Sequence, residues 1–441
     1  MKRNIVFTTD SYKVSHWLQF PLNRGSYYYI ESRGGADEVL FYGLQMIIKK
    51  VLDRVPTKSE VERAAKSWAA HGVSFNKKGW MALSELGYFP IEIRAVEEGK
   101  MVKTKEVQVT IESTDERFGW LPGWIETRLM QLWYPTTVAT KQFECKKIIL
   151  EYLKKTGTPE DAPFKLHSFG YRGVSSEESA GIGGSAELLT SMSTDTIAGV
   201  YAAQDYYNTD EMLGFSIDAS EHSTITAWGR EFERDAYENM LDQFLKPGAI
   251  LACVSDSYDL SKVILEYWGK EFKDRIERSG GTLVIRPDSG DPVTIVLRSL
   301  EQLRSSFGVT TNDKGYMILP DCVRLIQGDG LDGPAEIEAI LAAMEAVGWS
   351  ADNIAFGMGG GSLQQVNRDT YKYAMKMSAI MKIDGEWREV YKQPKDAAWK
   401  ISKKGRFDNL NLPTVWRDGV FIREYTFEEV RANAMAELER A

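Results

Sequence analysis

The chain has 441 residues, 43% of them hydrophobic and 27% charged, with a formal net charge of −9. That length exceeds one ordinary compact core and predicts two domains, and the balance is globular rather than disordered. The acidic charge argues against nucleic acid as a partner. Three cysteines, Cys145, Cys253 and Cys322, form no C-x-x-C pair, and the four histidines make no metal-ligand pair; both predict a reducing compartment without disulfides or structural zinc. No apolar run approaches a membrane span, and Ile5–Phe7 is too short for a signal-peptide core, so a cytoplasmic protein with no membrane partner is expected.

In chain order, residues 60–86 and 124–153 read as helical, while Ile91–Val96 and Val107–Ile111 alternate like antiparallel strands. The stretch Lys154–Pro159 reads as a linker and puts a boundary near residue 155. Beyond it, short apolar runs alternate with amphipathic segments. Phe164–Ser168 leads into Phe169-Gly170-Tyr171-Arg172-Gly173, and Phe215–Asp218 into Ala219-Ser220-Glu221-His222-Ser223. Ile250–Val254 ends in Ser255-Asp256-Ser257, and Leu283–Ile285 in Arg286-Pro287-Asp288-Ser289-Gly290. Val323–Ile326 ends in Gln327-Gly328-Asp329-Gly330, and Ile354–Phe356 in Gly357-Met358-Gly359-Gly360-Gly361. Such alternation predicts parallel β-α units. The fold class expected is α/β: a barrel over 156–375 beside a mixed α+β domain over 1–155, completed by 376–441, whose tail holds one strand-like stretch and a charged helix.

In a parallel barrel the carboxyl ends of the strands build the active site, and the chemistry-bearing residues sit there. The glycines around Gly360 allow backbone N–H groups to cradle a phosphate, though tight turns use glycine as well. No Gly-Lys-Ser/Thr follows them, so this is not a Walker A loop. Arg286 can grip phosphate oxygens in a forked geometry, and Asp288 can take ribose hydroxyls or magnesium; the plainer reading is a salt bridge within a turn. Asp329 and Asp256 carry the same two readings, since a lone strand-end carboxylate is usually a turn former. Several on one face, with arginines and glycines, point to a phosphorylated sugar and a metal. His222 suits a general base, a phosphate ligand or a phosphorylatable nucleophile. Phe169, Tyr171 and Arg172 form an aromatic-basic group that could stack on a heterocycle or belong to the core. Lys403-Lys404-Gly405-Arg406 reads as solvated surface or a phosphate contact.

A set of longer motifs adds a resemblance. Thr9-Asp10-Ser11-Tyr12-Lys13-Val14-Ser15-His16, Phe41-Tyr42-Gly43-Leu44-Gln45, Trp133-Tyr134-Pro135-Thr136-Thr137-Val138-Ala139-Thr140, Phe169 to Ser176, Ser193-Thr194-Asp195-Thr196 and Glu221 to Gly229 occur in that order. With the strand ends above, they resemble the nicotinamide phosphoribosyltransferase family over nearly the whole chain; after about residue 385 the chain is shorter than the family pattern. The resemblance implies an irregular α/β barrel of the type II phosphoribosyltransferases. It implies condensation of nicotinamide with 5-phosphoribosyl 1-pyrophosphate to nicotinamide mononucleotide and pyrophosphate in NAD salvage. It also implies Mg2+, ATP as a facultative activating co-substrate acting through a phosphorylated histidine, and a homodimer with shared active sites. By the same resemblance, Phe169 stacks on the nicotinamide ring and Tyr12 of the other subunit covers its opposite face. Asp195 accepts from the carboxamide, although a residue in that position can also cap the helix beginning near Thr196. Arg172, His222 and Arg286 bind pyrophosphate, Asp288, Asp329 and Gly328 hold the ribose, Gly360 and Arg368 take the 5′-phosphate, and Asp256 lies near the metal, whose ligands stay unassigned. Two alternatives remain open on the sequence: a nicotinate phosphoribosyltransferase, or a non-catalytic ligand sensor on the same scaffold.

Overall fold

The structure, a computed structural model, describes residues 4–396 and 401–441. The chain divides into two compact units: Met1–Thr140 with Ala203–Asp210 and Asn367–Glu437, and Lys141–Ala202 with Glu211–Val366 and Leu438–Ala441. Among the described residues no helix is long and apolar enough to cross a membrane. All three cysteines are free thiols.

The second unit is built on a seven-stranded parallel sheet. Its spatial order is Ser193–Thr194, Leu166–Ser168, Ile354–Met358, Val323–Gln327, Thr282–Arg286, Ile250–Val254 and Asp218–Ala219. The two edges meet through an isolated parallel bridge between Ser193 and Phe215, just ahead of the last strand. There the Thr194 N–H donates to the Phe215 carbonyl and the Phe215 N–H to the Met192 carbonyl, both at 2.9 Å. The sheet therefore closes on itself through an irregular segment, the α/β barrel expected from the alternating runs.

Period-two alternation sorts the strand residues. Leu251, Cys253, Leu283, Ile285, Val323, Leu325, Ile354 and Phe356 are buried in one core with Val296, Leu300, Leu303, Ile337, Ile340, Leu341 and Met344 from the helices. Burying each such aliphatic side chain contributes about 1.5–3 kcal/mol. The opposite strand face carries a smaller cluster, Ala252, Val284 and Ile326, against which Ala355 and Phe169 pack. Helices start where the sequence provides caps: Asp291 accepts from the Thr294 N–H and Pro292 opens the helix Pro292–Phe307.

Three details differ from expectation. Phe164 ends a 3-10 helix, Pro159–Phe164, and the strand is only Leu166–Ser168; Pro159 and Pro163 have no N–H for a ladder. The run Phe215–Asp218 yields the strand Asp218–Ala219. The stretch Lys154–Pro159 holds the end of the helix Trp133–Thr156 and the start of that 3-10 turn. Lys314 closes this helix end by donating to the carbonyls of Leu153, Lys154 and Gly157 at 3.2, 2.9 and 2.5 Å. The division between units falls instead at Thr140, inside the same helix.

The first unit holds a seven-stranded antiparallel sheet in the order Trp387–Glu389, Ala374–Met381, Gly25–Glu31, Val109–Ser113, Ile91–Ala95, Thr414–Arg417, Val420–Phe421. The C-terminal part thus completes a sheet begun at the N-terminus. Residues 60–86, read as helical, lie in two helices, Lys58–Ala70 and Lys77–Leu86, separated at Gly72, which adopts φ +89°. The segment Ala203–Asp210 belongs here because the Tyr207 ring stacks on Tyr42 with centroids 5.2 Å apart, and its hydroxyl donates to buried Glu98 at 2.6 Å. Glu98 in turn accepts from the Gly43 and Gln45 N–H groups at 2.8 and 2.7 Å, capping the helix Leu44–Val51.

Candidate active site

Within the second unit the strand ends bring the barrel candidates to one place. Phe169 follows Leu166–Ser168 and is held there by its N–H donating to the Met358 carbonyl at 2.9 Å. Its ring lies against Gly357, where any Cβ would fall inside the ring's van der Waals surface, and against Gly328, where a Cβ would sit 3.1 Å from it. The Arg286 guanidinium is 5.9 Å from the ring centroid and the His167 imidazole 4.8 Å. The aromatic is thus a half-buried platform beside a cation, with apolar Ala252, Val284 and Ile326 beneath.

Asp195 opens the segment after Ser193–Thr194, its N–H donating to the Ser168 carbonyl at 2.9 Å. Its Oδ1 lies 3.1 Å from His167 Nε2 and also accepts from the Ser216 hydroxyl. Burial works to raise this carboxyl, but the His167 and Ser216 hydrogen bonds and the charge of Arg286 outweigh it and leave it below the ordinary range. The helix-cap reading of Asp195 is not what the side chain does: the Thr194 hydroxyl accepts from the Thr196 N–H at 2.9 Å.

His222 begins the helix His222–Thr226. Its Nε2 is 3.0 Å from Asp256 Oδ1, and its Nδ1 is 3.6 Å from Asp288 Oδ2. Asp256 is nearly sealed, and its Oδ2 accepts from the Asp288 N–H at 2.9 Å and the Ser289 hydroxyl at 2.6 Å. Both Asp256 oxygens are therefore committed to orienting neighbours. Burial pushes the Asp288 carboxyl up; Arg286 and His222 oppose this, and the charges of Asp256 and Asp329 add to it. Arg286 Nε is buried without a hydrogen-bond partner, 3.9 Å from Asp288 Oδ1. A buried guanidinium N–H left open is costly unless an anion completes it. Arg172 stands exposed at the rim, 3.3 Å from Glu221. Gly360 opens the short helix Gly360–Leu363 with empty space where a side chain would be, and Lys141 donates to the Gly361 carbonyl at 2.6 Å.

Phe169, Asp195, His222, Asp256, Arg286, Asp288 and Gly328 are linked by these contacts, with Asp329 electrostatically coupled to Asp288. Tyr12 and Arg368 belong to the first unit. There Tyr12 is 63% exposed on the 3-10 helix Ser11–Leu18, and Arg368 pairs with Asp369 at 3.0 Å. The basic cluster is already neutralised: Lys403 pairs with Glu31, Lys404 with Glu389 at 3.0 Å, and Arg406 with Glu112 at 2.6 Å.

Comparison with known proteins bears directly on this strand-end group. The description "Nicotinate phosphoribosyltransferase (NAPRTase) family" matches residues 164–421, which span the whole barrel site, and "Nicotinamide phosphoribosyltransferase, N-terminal domain" matches residues 4–93. A nicotinamide phosphoribosyltransferase of Xanthomonas campestris pv. campestris is 47% identical, covering 98% of each chain. The chain belongs to the nicotinamide phosphoribosyltransferases, within this wider family. Another nicotinamide phosphoribosyltransferase, from Mycoplasma pneumoniae, is 32% identical over 74% of this chain and 73% of its own. Among solved structures, a nicotinate-nucleotide pyrophosphorylase from Pyrococcus furiosus superposes with TM-score 0.58 at 15% identity, covering 99% of this chain and 95% of that one. Human nicotinic acid phosphoribosyltransferase does so with TM-score 0.56 at 14% identity, covering 98% and 94%. At those identities the likeness is one of fold, the irregular barrel of type II phosphoribosyltransferases.

Sequence reasoning missed His167 and Ser216, the two partners of Asp195. His167 stood in a strand as one of four scattered histidines, and its partner Asp195 is distant in sequence. Only the adjacency of Leu166–Ser168 and Ser193–Thr194, with His167 registered against Ser193, brings them together.

Proposed function

We propose that this chain condenses nicotinamide with 5-phosphoribosyl 1-pyrophosphate, giving nicotinamide mononucleotide and pyrophosphate as a step of NAD salvage in the cytoplasm. The observation that carries the choice of base is Asp195, a carboxylate held ionised beside the Phe169 platform. It can accept from a carboxamide N–H, whereas nicotinate's carboxylate would meet it as a like charge.

The pyridine nitrogen is already a neutral nucleophile, so the site needs no general base. It must fix geometry and stabilise the departing pyrophosphate of an oxocarbenium-like transition state. Arg286, with its unsatisfied Nε, joins Arg172 and His222 in that role. Asp288 and Asp329, with the backbone at Gly328, take the ribose hydroxyls, and Gly360 and Arg368 take the 5′-phosphate. Tyr12 covers the ring across a homodimer interface. Magnesium fits this residue set: the negative charges of Asp256 and Asp329 both act on Asp288, although the described residues hold no ready cluster of three metal ligands. That pattern suits an ion carried largely by substrate phosphates with one or two carboxylates completing it, and Asp288 and Asp329 are the carboxylates that would hold it. Bound there, it would neutralise charge building on the pyrophosphate. ATP is the activating co-substrate, modifying His222.

The decisive measurement supplies the phosphoribosyl donor with nicotinamide or nicotinate and identifies the nucleotide formed. Nicotinamide mononucleotide with equimolar pyrophosphate is expected. Asp195→Ser should lose nicotinamide efficiency and gain relative nicotinate activity, because it removes the carboxylate that meets nicotinate as a like charge. Faster turnover of nicotinate by the unaltered enzyme would overturn the assignment.

A further inference from the structure

We propose that His167 is a positioning residue for base selection, acting with Ser216 to make Asp195 a one-sided acceptor that keeps its Oδ2 for the carboxamide. This rests on the nicotinamide reading above. His167 Nε2 and the Ser216 hydroxyl both address Oδ1 of Asp195. With both in-plane lone pairs of Oδ1 taken by these donors, a proton arriving on the carboxylate would have to sit on Oδ2. Nicotinate could be tolerated only by that protonated form, which would donate to its carboxylate. Two donors on Oδ1 stabilise the ionised form and oppose the exchange.

The imidazole is itself fixed. His167 is 7% exposed, its Nδ1 meets the Ser193 hydroxyl on the neighbouring strand, and its ring packs against Phe169. The Ser193 O–H can donate to Nδ1, which leaves the ring proton on Nε2, facing Asp195. One buried histidine thereby registers the stacking platform against the amide acceptor. The position of the Asp195 carboxyl below its ordinary range is consistent with this arrangement.

The test compares kcat/KM for nicotinamide and nicotinate in the unaltered enzyme, His167→Phe, His167→Gln, Ser216→Ala, Asp195→Ser and the double variant His167→Phe/Asp195→Ser. His167→Phe keeps a ring against Phe169 and removes the donor, His167→Gln keeps an N–H, and Ser216 is exposed, so its loss leaves the core intact. Losing a charge-assisted donor should lower the nicotinamide-to-nicotinate ratio roughly ten- to a hundredfold in His167→Phe, and by a smaller factor in Ser216→Ala. His167→Gln should recover part of the ratio, and adding His167→Phe to Asp195→Ser should leave the ratio of the single Asp195 variant unchanged. An unaltered ratio in His167→Phe and Ser216→Ala, with Asp195→Ser still shifting it, overturns the positioning role and leaves the selector reading standing. An unaltered ratio in Asp195→Ser overturns both. Should His167→Phe not fold, the ratio in Ser216→Ala decides by itself.

Discussion

Glu187 ends the helix Glu177–Glu187 and is 2% exposed. Burial pushes its carboxyl up to about 7, with the hydroxyls of Ser168 and Ser362 pulling partly against it. A carboxyl raised in the folded state stabilises the fold fully below its unfolded pKa of about 4.3 and loses that contribution as pH rises through the folded value. At about 1.4 kcal/mol per unit, the ionised residue costs about 4 kcal/mol under alkaline conditions. Glu187→Gln should therefore melt close to the unaltered protein near pH 4.5 and several degrees above it near pH 8.5; a Tm difference independent of pH would refute the account. His222 presents a different case, because its chemistry faces solvent. With Asp256 accepting from Nε2–H, a neutral imidazole would have its lone pair on Nδ1, the nitrogen that on the proposed reading takes the phosphoryl group of ATP. A phosphohistidine would add negative charge next to Asp288 and the pyrophosphate site, where magnesium and arginines can order around it. His222→Ala should abolish ATP hydrolysis and keep weak basal nucleotide synthesis, which a phosphate-release assay run beside nucleotide detection resolves. Undiminished hydrolysis in that variant would remove the assignment.

The barrel strands differ in how readable they are, for a physical reason. Ile250–Val254 and Thr282–Arg286 pack against helices on one face and the apolar cluster on the other, so they appear as continuous apolar runs with polar ends. Ser193–Thr194 and Asp218–Ala219 are two residues each, too short to show any period, yet the first delivers Asp195 and the second precedes His222. The strand ends that gather the candidate residues were therefore legible, while the His167–Asp195 pairing, which depends on that short strand, was not. The glycine-rich end of Ile354–Met358 was legible as a loop but not as a platform: Gly357 is there because the Phe169 ring occupies the space a Cβ would need. Gly357→Ala should displace that ring at a cost of about 1–3 kcal/mol. The expected signature is a higher KM for nicotinamide, about tenfold, with a much smaller change in KM for the phosphoribosyl donor. An equal rise in both constants would place the damage in the whole strand rather than in the platform.

At the scale of the whole molecule, the antiparallel character of Ile91–Ala95 and Val109–Ser113 could be read from alternation, but their partners could not. Gly25–Glu31 pairs with Ala374–Met381, and Thr414–Arg417 with Ile91–Ala95, joining segments hundreds of residues apart that no local pattern connects. The return of Ala203–Asp210 to the first unit was equally hidden, since it depends on Tyr207 reaching Glu98 and Tyr42. The assembly itself is the remaining proposal. Phe215, Ile217, Trp228 and Phe232 of the second unit are 47, 41, 43 and 55% exposed. A second copy covering these side chains would take them out of water and would let Tyr12 serve a neighbour's ring pocket. Mixing Tyr12→Ala protein with Asp288→Ala protein tests this. Each homodimer lacks one essential part at both sites, whereas a heterodimer with shared sites contains one site with both parts intact. With random exchange half the molecules are heterodimers, each with one good site of two, so activity should recover to roughly a quarter of the unaltered level. Subunit exchange shown by mass-tagged chains, with activity no greater than the sum of the two parents, would mean that each site takes Tyr12 and Asp288 from the same chain.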